Sequence, residues 1–131
     1  MKKLALVALF ALALSLLAAC GSSSNTGGTG GNSNEVTLGS TQFNSSSITI
    51  KKGETITFKS DPSGSPHILG IGKNGDFTQP EAGAPDFGAQ GHMINTGASW
   101  TTPPWNTPGT YDVSCSIHPT TMADFVVTVT G

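Results

Sequence analysis

The chain has 131 residues, only 11% of them charged, with 17 glycines and eight prolines. Its six Lys+Arg residues are all lysine and are outnumbered by eight acids, which leaves no basic patch of the kind a nucleic-acid binder needs. The length suits one domain with a single core rather than two.

Residues 1–19 predict an export signal: Lys2 and Lys3 open it, an apolar stretch runs from Leu4 to Leu17, and small residues lead to Cys20. The apolar run is short for a membrane span, and polar Gly/Ser/Asn sequence follows it directly. Leu17-Ala18-Ala19-Cys20 resembles the bacterial lipobox. That resemblance implies cleavage before Cys20, lipidation of its thiol, and a mature protein anchored by lipid to a bacterial membrane, outside the cytoplasm. The mature chain then keeps four lysines against eight acids, a formal charge of −4, which permits docking to a basic partner.

Gly21 to Asn34 contains only Gly, Ser, Asn and Thr, the composition of a flexible tether with a reach of roughly 20 Å. Residues 20–34 are therefore expected to link the anchor to a domain over 35–131. Strands are predicted at Val36 to Phe43, Ser47 to Lys52, Glu54 to Ser60, His67 to Ile71, Thr110 to Ser116 and Ala123 to Thr130, all rich in β-branched or aromatic residues. Ile48 and Ile50 alternate with Thr49 and Lys51, as Ile56 and Phe58 do with Thr57 and Lys59, so each strand has one apolar and one wet face. Lys52-Gly53-Glu54 is expected to turn between two of them. No helical period follows the signal, and the pattern predicts an all-β fold, an antiparallel sandwich. The stretch from Gly72 to Ala98, rich in Gly, Pro and Asn, is expected to form a long irregular surface excursion. His92-Met93 within it reads as a solvated pair. Trp100 and Trp105, flanking Pro103-Pro104, are expected to pack over one end of the core.

The segment Cys115-Ser116-Ile117-His118-Pro119-Thr120-Thr121-Met122 concentrates a thiol, an imidazole and a thioether between two predicted strands. Soft sulfur donors with imidazole suit copper, and a second imidazole would complete a His₂Cys set with a weak axial Met. If Cys20 is lipidated, Cys115 has no disulfide partner, and an unpaired thiol in an oxidising compartment calls for burial or metal ligation. Alternation with Tyr111 and Val113 turns Cys115 inward. Pro119 cannot continue a ladder, so the chain is expected to leave the strand just after His118. His67, stiffened by Pro66 and leading the apolar run Ile68, Leu69, Ile71, is the best-placed additional ligand.

With Pro108 to Ser114, the His67 region, Cys115-x-x-His118-Pro119-x-x-Met122 and the final strand Phe125 to Val129, the chain resembles the cupredoxin family of small blue-copper proteins over nearly all of Val36 to Thr130. The resemblance implies a Greek-key sandwich and one mononuclear type 1 copper centre. His67, Cys115 and His118 would be equatorial ligands, Met122 the axial one, and His118 the electron port near the surface. It implies a non-enzymatic carrier of single electrons between redox partner proteins, acting as a monomer; copper storage or delivery is the alternative. With three histidines in the whole chain, an oxidase or nitrite reductase needing further copper centres is not expected. Two departures stand out: Met122 falls four residues after His118 where many members have three, and Ile68 takes a place often held by a polar residue that braces the ligand loop.

Overall fold

The computed structural model describes residues 34–131; the expected signal, the lipidation site Cys20 and nearly all of the tether lie outside the described residues. Eight strands follow in chain order: β1 (Glu35–Leu38), β2 (Ser47–Lys51), β3 (Thr57–Ser60), β4 (His67–Ile71), β5 (His92–Ile94), β6 (Ser99–Thr101), β7 (Gly109–Cys115) and β8 (Phe125–Thr130). They form a three-stranded sheet in the order β1-β3-β6 and a five-stranded sheet in the order β2-β8-β7-β4-β5. The all-β sandwich expected from the sequence is the observed architecture.

Pairing is mixed rather than uniformly antiparallel. β1 runs parallel to β3, and β2 runs parallel to β8. Parallel neighbours need a crossover between them. Here β2 lies in the opposite sheet, so the chain crosses the sandwich after β1 and returns before β3. The remaining pairs, β3 with β6, β4 with β5 and β7, and β7 with β8, are antiparallel.

The core follows the period-2 alternation of the strands. Val36, Leu38 and Phe58 face inward from one sheet, and Ile50, Leu69, Ile71, Tyr111, Val113, Phe125, Val127 and Val129 from the other. Between the sheets Phe58 meets Phe125 edge-on at 6.0 Å. Trp105 is fully buried, touches Phe87 and Tyr111, and satisfies its indole N–H with Thr102 Oγ1 at 3.1 Å. Trp100 is half-buried and stacks on Phe58, so both tryptophans pack on the core as expected. The turn at Lys52 and Gly53 also forms, with Gly53 at φ 88° and the Glu54 amide donating to the Lys51 carbonyl.

The Gly72–Ala98 stretch is less detached than its composition predicts. It buries Phe87 and returns to the sheet as β5, whose Ile94 is 1% exposed. β5 and β6 have three residues each, too short for a periodic signal to show against the surrounding Gly, Asn and Thr. At the other extreme, the predicted strand from Val36 ends at Leu38, and Phe43 returns only as an isolated bridge to Leu38.

Candidate metal centre

Tyr111, Val113 and Cys115 alternate inward along β7, which brings the Cys115 thiol into the core as a free, fully buried cysteine. In the ladder with β4, Cys115 stands opposite Leu69. His67 precedes Leu69 by two residues on that strand and therefore shares its inward face. Its ring is fully buried, with Nδ1 4.0 Å from Cys115 Sγ. The chain leaves the sheet after Cys115, and the half-buried His118 turns back over the thiol, with its Nδ1 3.7 Å away. The two imidazole rings lie 5.3 Å apart at 62°.

Three backbone hydrogen bonds shape this loop. The Cys115 amide donates to the Met122 carbonyl at 3.0 Å, the Met122 amide to the His118 carbonyl at 2.9 Å, and the Ser116 amide to the Ile68 carbonyl at 3.0 Å. The strand thus ends three residues earlier than the expectation based on Pro119, because the loop's own hydrogen bonds divert it before the proline is reached. Met122 is fully buried beneath the loop and belongs to the core cluster.

His67 Nε2 is buried and makes no hydrogen bond. Burial lowers the pKa of this ring, the nearby His118 charge lowers it further, and a weaker backbone interaction with Gly39 opposes both. The ring is therefore held neutral, the form in which imidazole binds a metal. The ligand atoms of His67, Cys115 and His118 all lie within 4.8 Å of one another. Metal bonds of about 2.1 Å to nitrogen and 2.3 Å to sulfur, arranged trigonally, separate N and S by about 3.8 Å. The observed 3.7 and 4.0 Å match that spacing. A thiol with two imidazoles is the donor set of a type 1 copper centre.

The second His/Met pair does not join this cluster. His92 is not the solvated residue its loop composition predicts; it lies in β5 and stacks on Trp100 at 4.0 Å and 13°, while Met93 is 56% exposed. The backbone of Asn74-Gly75, which no expectation above singles out, contacts the flanks of the ligand loop from outside, at Ser114 and Ala123. The Asn-Gly dipeptide, a turn signal, was the available cue.

Fold and site together define a cupredoxin-type protein whose His67, Cys115 and His118 are compatible with one type 1 copper centre. The chain belongs to the plastocyanin/azurin family of copper binding proteins, whose model matches residues 31–130. Among solved structures it is similar to amicyanin from Paracoccus versutus, with 22% identity, coverage of 78% of this chain and 85% of that one, and a TM-score of 0.53. It is also similar to a mutant plastocyanin of fern, with 24% identity, coverage of 73% and 99%, and a TM-score of 0.52. These likenesses show the fold. No curated protein matches the chain.

Proposed function

We propose that this protein carries single electrons between redox partner proteins outside the cytoplasmic membrane, as a monomer held to the membrane by a lipid on Cys20. The observation that carries the reading is the convergence of His67, Cys115 and His118 in a geometry that needs little rearrangement to take a metal. Copper bound there would supply a one-electron Cu(II)/Cu(I) couple. His67 and Cys115 hold it from the buried ends of adjacent strands, and the packed core around them limits movement when charge changes. Met122, fully buried at the close of the loop, is the proposed axial ligand.

His118 has a different position. It is half-buried and lies between exposed Ile117 and Pro119, which makes its ring the contact through which a partner reaches the centre. Full burial of the other three proposed ligands favours retention of the metal over its delivery. The third histidine is engaged with Trp100, which supports a carrier rather than an enzyme with a second metal centre.

The test is addition of Cu(II) to the purified protein with visible and electron paramagnetic resonance spectra. An intense thiolate-to-copper band with narrow hyperfine splitting is expected, and Cys115→Ser should abolish both. Persistence of the band in that variant would refute the site. For the anchor, Cys20→Ser should move the protein from the membrane to the soluble fraction of its host; unchanged membrane retention would refute lipidation.

A further inference from the structure

We propose that the turn Lys73-Asn74-Gly75 positions the copper-ligand loop by gripping its entry and its exit at once, an inference that rests on the copper reading above. At the entry, the Gly75 amide donates to Ser114 Oγ at 2.9 Å, and Ser114 is fully buried immediately before Cys115. At the exit, the Asn74 amide donates to the Ala123 carbonyl at 2.7 Å, immediately after Met122. Lys73 spans both flanks, with its Nζ 3.4 Å from Asp112 on β7 and 3.4 Å from Asp124 before β8. Three consecutive residues therefore hold both ends of the segment that bears Cys115, His118 and Met122.

The fit depends on backbone-to-backbone contact. Asn74 and Gly75 adopt φ 55° and 71°, two successive left-handed residues that point their amides toward the ligand loop. A Cβ at position 75 would stand 2.7 Å from Ser116 Cα, 3.0 Å from the Cys115 carbonyl and 3.2 Å from Pro119 Cβ. Glycine alone lets the turn approach this closely. Two residues on, the Phe77 ring lies over Gly70 of β4, the strand that carries His67. The turn thereby ties the strand holding one ligand to the loop holding the others. A metal site keeps its geometry only when such outer contacts lock its ligands. In this chain Ile68 lends its carbonyl to the Ser116 amide, and the turn adds bonds at Ser114 and Ala123 to those the loop makes within itself.

The test uses the full chain, with and without copper, in three variants. Ser114→Ala removes the acceptor of the Gly75 amide. Gly75→Ala forces the turn away from the loop. Gly53→Ala imposes similar left-handed strain at φ 88°, with nothing within 4 Å and no contact with the site. Without copper, Ser114→Ala should accelerate amide hydrogen exchange at Cys115 and Met122 about fivefold relative to Val127, the loss of one hydrogen bond; Gly75→Ala should do so more strongly, and Gly53→Ala not at all. With copper, the first two should alter the Cu(II) hyperfine splitting and the reduction potential while Gly53→Ala leaves them as in the wild type. Exchange in Ser114→Ala and Gly75→Ala no faster than in Gly53→Ala would overturn the proposal. Faster exchange with an unchanged copper spectrum and potential would overturn it too, because the loop would then move without displacing the metal. If Gly75→Ala does not fold, Ser114→Ala decides alone. If the wild type shows no thiolate-to-copper band, the electron-carrier reading falls and the exchange measurement still decides whether the turn braces the loop.

Discussion

The Cys115 amide donates to the Met122 carbonyl at 3.0 Å, so the backbone closes the ligand loop at the two residues whose sulfur atoms are its proposed donors. This closure is independent of side chains. It allows the Met122 side chain to be changed while its place in the loop is kept.

Replacement of Met122 by Leu conserves volume in a fully buried position and should cost less than about 1.5 kcal/mol of stability. The backbone bonds at 122 remain. Loss of the thioether should raise the reduction potential of the copper protein, measured by voltammetry. An unchanged potential would show that Met122 is not an axial ligand.

The neutral state of His67 gives the copper-free protein an acid-sensitive window. The unfolded chain takes up a proton on this ring near the ordinary value of 6.5, whereas the folded chain does so only at lower pH. Unfolded molecules therefore bind more protons between the two values. Stability should be full above about 6.5, fall as the pH drops toward the folded value by at most about 1.4 kcal/mol per pH unit, and then level. Urea midpoints of copper-free protein from pH 7 to 5 check this, and His67→Gln should remove that part of the slope.

Trp105 is fully buried between Phe87 and Tyr111, with its N–H bonded to Thr102. Trp105→Ala should destabilise the domain by roughly 3–5 kcal/mol in chemical unfolding. A loss under about 1 kcal/mol would mean that this end of the sandwich collapses to fill the space.

Gly70 is constrained by packing rather than by its backbone angles. A Cβ there would meet the Phe77 ring at 2.5 Å. Gly70→Ala should cost about 1–3 kcal/mol through displacement of Phe77. Combining it with Phe77→Leu should recover part of that loss, and strict additivity of the two changes would contradict the contact.

The sandwich was legible in the alternation of Ile48 with Ile50 and of Tyr111, Val113 and Cys115, because a strand with one wet face states its orientation in its own residues. Likewise Cys115, His118 and Met122 were legible because they are close in the sequence. His67, 48 positions from Cys115, was legible as the histidine that follows Pro66 and leads an apolar strand, while its approach to the thiol depends on the pairing of β4 with β7. Stacking of His92 on Trp100 was hidden: it depends on where β5 and β6 return to separate sheets, and their three residues carry no period. The brace was hidden because Gly75 and Ser114 are 39 positions apart and interact through a backbone amide, which no side-chain pattern records.

β1 also gives the domain a direction. Asn34 stands before its first residue and bonds to the chain around Thr55 and Thr57, whereas Gly39, just beyond its last, interacts with His67. The polypeptide thus enters the sandwich at the pole opposite the ligands, about a strand's length away. The residues before Asn34 therefore join the domain at the end away from His118, and whatever is attached there leaves the metal pole uncovered.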